Sequence, residues 1–74
     1  MYLEYKKAYN EAVKSFTEAI NIDKNYAEAY YNRGYTYELM NDFDNARKDY
    51  KMAMQIKTNY QKAIEGMNRL EKNK

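Results

Sequence analysis

The carboxylates are the residues of this chain with potential for acid–base or metal chemistry, because its 74 residues include no histidine and no cysteine. Two pairs lie close along the sequence, Asp42 with Asp44 and Glu18 with Asp23. General acid–base catalysis needs carboxyl groups whose pKa values are shifted inside a cleft. Each of these four residues has instead a role in capping a helix or in keeping its surface soluble. We therefore expect the chain not to be an enzyme.

A metal site would have Asp42, Asp44 and Asp49 as its candidate ligands, since carboxylate oxygens suit hard cations such as Ca²⁺. Their spacing does not fit a Ca²⁺-binding loop. The chain also lacks a glycine-rich phosphate loop and a serine or threonine beside a candidate base. The sequence therefore predicts no catalytic residue, no metal and no cofactor.

Composition sets the limits for the remaining functions. A chain of this length forms one small domain, and its 13 basic and 11 acidic residues give a net charge of +2, too balanced to favour a nucleic-acid or membrane partner. No apolar run reaches the length of a signal-peptide core or a membrane span. We expect a soluble chain with the cytoplasm as the default compartment, although no residue specifies its localisation.

Apolar residues recur at three- and four-residue steps in four stretches, which is the period of helices that bury one face. The first, Tyr2–Ile22, contains no glycine, proline or strong cap and is predicted to be one continuous helix. The second is predicted from about Tyr26 to Met40, the third from Phe43 to Ile56, and the fourth from about Tyr60 to Lys72. The chain is therefore expected to be all-α.

Polar residues at the turns predict the helix ends. Asn25 is expected to cap the second helix together with Glu28 in a capping box, and Asp42 is expected to cap the third. On the exposed side of the third helix, Asp44 is expected to pair with Arg47 and Lys48.

The chain contains an internal repeat with a period of 34 residues. Shifting the sequence by this distance aligns small, aromatic and turn residues in one register: Tyr9 with Phe43, Ala12 with Ala46, Phe16 with Tyr50, Ala19 with Ala53, Ile22 with Ile56, Asn25 with Asn59, Tyr26 with Tyr60, and Ala29 with Ala63. A 34-residue helix–turn–helix unit predicts a stacked helical array.

The repeat resembles the tetratricopeptide repeat (TPR) family. Six residues match the family pattern of aromatic and small residues at its spacings: Tyr30, Gly34, Tyr37, Ala46, Tyr50 and Ala53. The resemblance as a whole covers nearly the whole chain. This chain departs from the pattern at Arg33, where the family has leucine, and at Lys24 and Thr58, where it has proline. Asn25 and Asn59 are expected to end the repeats there by capping. The resemblance implies a short right-handed TPR solenoid of about four antiparallel helices.

The register divides the chain into a partial repeat (1–25), a complete repeat (26–59), and a capping helix with a frayed tail (60–74). The last helix has Asn68 in place of the family glycine and polar residues on its other faces, as a terminal cap requires. Because Met1 falls within a repeat, we expect a fragment or the C-terminal part of a longer array. The tail from Glu71 to Lys74 is expected to fray.

The resemblance implies a protein–protein interaction module, in which the first helices of successive repeats line a concave groove that binds an extended peptide or a partner helix. Helix geometry assigns eight residues to this groove: Glu28, Tyr31, Asn32, Tyr35, Glu38, Lys62, Glu65 and Arg69. Asn32 and Lys62 match positions that bind a terminal carboxylate in chaperone-binding members. Gly66 stands where those members have arginine, so a complete carboxylate clamp is absent.

Several of these residues have structural alternatives. Tyr30, Tyr37 and Tyr50 are expected in the core, and Tyr26 and Tyr60 are expected to pack between helices across the turns. Arg33 is expected to lay its aliphatic stem over a neighbour. Tyr31 and Tyr35 are as consistent with ordinary exposed tyrosines as with a binding site, and Asn32 has a structural alternative that we favour over a functional one.

Two alternatives to peptide binding belong to other classes of function. The apolar face of Tyr2–Ile22 lacks a partner helix, so a second copy of the chain could pair with it in a homodimer. Nucleic-acid binding rests only on the basic residues of the C-terminal third and ranks last.

Overall fold

A computed structural model describes residues 2–72 of the chain, with side chains for residues 5–72, and this part folds into four helices. They are α1 (Tyr2–Ile22), α2 (Ala27–Leu39), α3 (Phe43–Ile56) and α4 (Gln61–Lys72), and residues 2–72 contain no strand. The predicted all-α fold is confirmed. Glu71 and Lys72 complete α4 instead of fraying, whereas Met1, Asn73 and Lys74 lie outside the described residues.

The start of α2 differs from the prediction. Asn25 and Glu28 form no capping box: the N-cap position is Tyr26, whose side chain makes no capping hydrogen bond. Asp23 explains the difference. Its side-chain Oδ1 accepts a hydrogen bond from the Asn25 N–H at 3.0 Å, and its backbone carbonyl accepts one from the Tyr26 N–H. Asp23 therefore satisfies this turn, and the side chain of Asn25 is not needed as a cap.

The other two turns contain asparagines in the left-handed region of backbone space. Asn41 and Asn59 both have φ near 63°, which asparagine tolerates better than most residues because its short side chain can hydrogen-bond locally. Asn59 thus ends the repeat through its backbone conformation and not by the predicted capping. Asp42 does occupy the N-cap position of α3, but its carboxylate accepts a hydrogen bond from the Asn45 side chain instead of a backbone N–H.

Helix α2 is the central element and contacts the three other helices, whereas α1 contacts only α2 within the described residues. Alanines make the close packing possible, and the ring of Tyr50 fills the space that they leave; Ala46, Tyr50, Ala53 and Ala63 are fully buried. Tyr30 is buried and Tyr37 is half-buried, as expected for core residues. Tyr26 is 45% exposed, so its predicted packing between helices is wrong.

Arg33 joins three helices through its guanidinium group, a role that the expected packing of its aliphatic stem did not include. Its Nε and Nη2 donate to the two carboxylate oxygens of Asp49 at 2.7 and 2.8 Å, and its Nη1 donates to the Thr17 hydroxyl at 3.1 Å. The hydrogen bond from Arg33 to Asp49 raises the pKa of Arg33 above its ordinary value, against the opposing effect of burial. Asp49, which is buried on α3, explains why arginine is accommodated at this position.

Candidate protein-binding surface

The side chains predicted to bind a partner lie on α2 and α4, and we call the surface that they form the α2–α4 surface. It comprises the eight predicted residues: Glu28, Tyr31, Asn32, Tyr35, Glu38, Lys62, Glu65 and Arg69. The two helices contact each other directly and also pack on α3. Helix α3 therefore holds the two rows of side chains at a fixed spacing.

Tyr31 is the centre of an aromatic cluster on this surface. Its ring centroid lies 5.6 Å from that of Tyr60, 5.8 Å from that of Tyr50 and 6.3 Å from that of Tyr35. Separations of this size are typical of stabilising aromatic pairs. Tyr31 is half-buried by these contacts, whereas Tyr35 remains 43% exposed. Tyr35 is therefore the ring that is most open to a partner, and Tyr31 supports it.

Glu38 is less accessible than helix geometry alone predicted. Its carboxylate accepts a hydrogen bond from the Tyr50 hydroxyl at 2.6 Å and two from Arg69, at 2.9 Å to Nε and 3.1 Å to Nη2. Only 12% of the Glu38 side chain is exposed. The network joins α2, α3 and α4, so Glu38 and Arg69 fix the geometry of the surface.

Opposing effects set the protonation of this network. Burial acts to raise the pKa of Glu38, but the hydrogen bonds from Arg69 and Tyr50 lower that pKa below its ordinary value. Burial and the hydrogen bond to Glu38 raise the pKa of the Tyr50 phenol. The hydrogen bond to Glu38 also raises the pKa of Arg69, whose guanidinium lies 5.8 Å from the centroid of the Tyr35 ring. The network is thus charged on Glu38 and Arg69 at neutral pH.

A shallow cleft of about 340 Å³ lies at one end of the surface. It is lined by Glu28, Lys57, Asn59, Tyr60, Gln61 and Lys62. Lys57 holds this end together, because its ammonium group lies 3.5 Å from Glu28 Oε2 and 4.7 Å from the centroid of the Tyr60 ring. Lys57 and Tyr60 were not among the predicted site residues, since their sequence signals are those of a turn.

The other predicted site residues point outward. Asn32, Lys62 and Glu65 are exposed, and their side chains make no hydrogen bond or ion pair within residues 5–72. Leu39, which follows Tyr35 by one turn of α2, is 46% exposed and was not among the predicted site residues.

Gly66 occupies the position of the missing clamp arginine for a packing reason. A β-carbon added there would lie 2.6 to 2.9 Å from three atoms of the Tyr50 ring. A larger residue cannot be placed there unless Tyr50 moves. The surface therefore provides Lys62 without the second basic group that a carboxylate clamp needs.

Among the described residues, no group of three or more histidine, cysteine, aspartate or glutamate side chains is arranged to hold a metal ion. No helix in residues 2–72 is long and apolar enough to cross a membrane.

Comparison with known families identifies the class of protein. A family described as "TPR repeat" matches residues 4–41, which is just over half of the chain, and one described as "Tetratricopeptide repeat" matches residues 27–60. The chain belongs to the tetratricopeptide repeat family. Repeats of this family are generally non-catalytic modules that bind protein partners.

The chain is similar to one curated protein in particular, neutrophil cytosol factor 2 of Bos taurus. The two are 48% identical over 44 residues, which is 60% of this chain and 8% of that protein. The chain therefore spans less than a tenth of the length of this relative.

Proposed function

We propose that the α2–α4 surface binds an extended peptide segment or a helix of a partner protein. The observation that carries this proposal is the aromatic cluster of Tyr31, Tyr35 and Tyr60, which is held in place by Tyr50 from below. Tyrosine rings give a large contact area at a small cost in side-chain entropy. Because the cluster is already packed, a partner would meet an ordered surface.

The polar groups of the surface indicate which partner fits. Two of its acidic residues are neutralised within the chain, Glu28 by Lys57 and Glu38 by Arg69. Lys62 and Glu65 remain and carry opposite charges. The surface is therefore close to neutral, and charge attraction contributes little to binding. The favoured partner places an apolar or aromatic side chain on Tyr35.

Hydrogen-bonding groups are available around this contact. The hydroxyls of Tyr31, Tyr35 and Tyr60 make no hydrogen bond within residues 5–72. The Asn32 amide has both donor and acceptor atoms and is exposed on the same helix. An extended peptide carries unpaired backbone N–H and C=O groups, which these side chains can satisfy.

The proposal is tested by selecting peptides on the immobilised chain from a displayed random library and measuring the affinity of the selected peptides in solution. Tyr35→Ala is expected to raise the dissociation constant at least about tenfold, the loss of about 1.4 kcal/mol typical of a central aromatic contact. Asn32→Ala and Lys62→Ala are expected to have smaller effects.

Met52→Ala is the matched control, since Met52 is exposed to a similar extent on α3 and lies outside the proposed surface. It should leave the affinity unchanged. Selected peptides that tolerate Tyr35→Ala but lose affinity on Met52→Ala would contradict the proposed location of the site.

A further inference from the structure

The shallow cleft at the end of the α2–α4 surface carries an unbalanced positive charge. Among the described residues, Lys57 and Lys62 line it together with a single acidic residue, Glu28. The Glu28 carboxylate pairs with Lys57 at 3.5 Å, whereas Lys62 forms no ion pair within residues 5–72. Glu65, whose charge balances that of Lys62 over the surface as a whole, is not part of this lining. The cleft therefore has one positive charge without a partner.

Hydrogen-bond donors surround this charge. The side chains of Asn59 and Gln61 are exposed and make no hydrogen bond within residues 5–72, and each amide has two N–H donors. Tyr60, which stands between them in the sequence, is buried, and its ring centroid lies 4.7 Å from the Lys57 ammonium. The cleft thus offers an anion a free ammonium group and several N–H donors beside an ordered ring.

The opposite end of the surface is apolar and electrically neutral. Arg69 and Glu38 neutralise each other there. The exposed apolar residues at this end are Tyr35, which is 43% exposed, and Leu39, which is 46% exposed. A partner that contacts both ends must therefore combine an anionic group with an apolar one.

Helix geometry sets the distance between the two ends. Tyr60, before the first residue of α4, contacts Tyr31 on α2. Arg69, near the end of α4, contacts Tyr35, so the two helices run in the same direction. Glu28, which lines the cleft, and Tyr35 are two turns apart on α2, about 10 Å along the helix axis. An extended peptide covers this distance in about three residues.

We propose that the partner of the α2–α4 surface is an extended segment in which an aspartate or glutamate lies about three residues from an apolar side chain. The apolar side chain packs on Tyr35, and the carboxylate enters the cleft beside Lys62. This inference rests on the proposed binding function and adds the sequence pattern that the surface selects. Because an exposed ion pair contributes little affinity, the cleft acts mainly by fixing the register of the segment.

The carboxylate belongs to a side chain and not to the end of the partner. A clamp for a terminal carboxylate needs a second basic group at Gly66, where the Tyr50 ring leaves no room for a β-carbon. A side-chain carboxylate in the cleft instead uses Lys62 together with the amides of Asn59 and Gln61.

The displayed random library tests the pattern when each peptide is fused at its C-terminus and therefore has no free terminal carboxylate. Peptides selected on the parent chain are expected to contain aspartate or glutamate about three residues from an apolar residue, on either side of it. An acidic residue about seven residues away would fit a helical partner and would overturn the extended arrangement. Selection without any acidic preference would overturn the acidic subsite.

Charge reversal tests the role of Lys62. A selected peptide with blocked ends is compared with copies in which glutamine or lysine replaces its acidic residue. In fluorescence anisotropy, the glutamine peptide is expected to bind the parent chain about threefold more weakly than the acidic one. On Lys62→Glu the lysine peptide should become the tighter ligand. Lys48→Glu is the matched control, exposed on α3 outside the surface, and it should keep the order seen with the parent chain.

Glu28→Gln is expected to give a gain. Glu28 competes with the peptide carboxylate for Lys57, and the substitution removes its charge while keeping its shape. The acidic peptide should bind about two- to threefold more tightly, whereas the glutamine peptide should be unaffected. An equal change for both peptides would contradict the proposed role of the charge.

Tyr35→Ala separates the failure of this inference from the failure of the proposed function. If the acidic and glutamine peptides bind the parent chain equally and both lose affinity on Tyr35→Ala, the acidic subsite is wrong and the binding surface stands. If no selected peptide depends on Tyr35, the proposed function and this inference are both wrong.

Discussion

The ring of Tyr50 lies against the backbone of Gly66, so that a β-carbon added at Gly66 would come within 2.6 Å of the ring atom Cζ. Tyr50 cannot easily move away, because it is fully buried and its hydroxyl donates to Glu38 at 2.6 Å. This contact brings α4 close to α3. Because α3 also packs on α2, the contact helps to position α4 relative to α2, and these two helices carry the proposed binding surface.

Gly66→Ala is expected to lower the free energy of unfolding by about 1–2 kcal/mol. Forcing a methyl group into this filled space costs about 2–3 kcal/mol, and the better helix propensity of alanine offsets roughly 1 kcal/mol. Urea unfolding followed by circular dichroism measures the difference. Asn68→Ala is the control, because Asn68 is exposed on the same helix and its replacement should raise stability slightly. Equal stability of the two variants would contradict the proposed contact.

Breaking the ion pair between Arg33 and Asp49 is expected to lower stability mainly because it leaves the other charge buried without a partner. Asp49→Asn keeps the shape but removes the negative charge, and it should lower the free energy of unfolding by about 3 kcal/mol, the low end of the range for breaking a buried pair. The low end applies because 19% of the Arg33 side chain remains exposed.

Two further variants complete the test of this pair in the same unfolding assay. Asp44→Asn breaks the exposed pair with Arg47 and is expected to cost under about 0.5 kcal/mol. Arg33→Leu combined with Asp49→Leu removes both charges and should recover most of the loss, since replacing a buried pair with apolar residues is often close to neutral. A double variant less stable than Asp49→Asn would contradict this account.

The helices could be predicted from the sequence because their signals are local. The predicted bounds of α1 and α3 coincide with the observed ones, and those of α2 and α4 differ by only one residue at the ends. The apolar periodicity determines where a helix runs, whereas hydrogen bonds in the turns determine its terminal residue. At the start of α2, Asn25 and Asp23 compete for the same turn. Nothing in the local pattern decided that Asp23 would satisfy it.

The polar contacts between helices could not be predicted from local signals. Arg33 was predicted to lay its aliphatic stem over a neighbour, and the guanidinium contact was missed because its partner Asp49 lies 16 residues away on α3. Glu38 was predicted to face the groove, but its partner Arg69 is 31 residues away. Which side chains meet across helices depends on interaxial distance, which is set by the close contacts of Gly34 between α2 and α3 and of Gly66 between α3 and α4. The division into a half repeat, a full repeat and a cap stays a prediction.

The pKa of Glu38 predicts a loss of stability in acid. Because its pKa in the folded chain is below the ordinary value of about 4.3 in the unfolded chain, Glu38 contributes stability that is fully present above that value. The contribution is lost as the pH falls through the folded pKa. In thermal unfolding between about pH 7 and pH 3, Glu38→Gln should be less stable than the parent at the neutral end. The difference should shrink toward the acidic end, and a difference that stays constant with pH would contradict a role for the charge.

The two tyrosines of the proposed surface are expected to separate stability from binding. Tyr31→Ala should lower the free energy of unfolding by about 2–3 kcal/mol, less than the roughly 3–5 kcal/mol of a fully buried aromatic residue, because Tyr31 is half-buried against Tyr50 and Tyr60. Tyr35→Ala should cost under about 1 kcal/mol, the size of an exposed cation–π contact such as that with Arg69. Urea unfolding of both variants measures the costs. If Tyr35→Ala abolishes peptide binding at nearly unchanged stability, the loss is due to the missing contact on the surface. Equal destabilisation by the two substitutions would mean that Tyr35 is a packing residue.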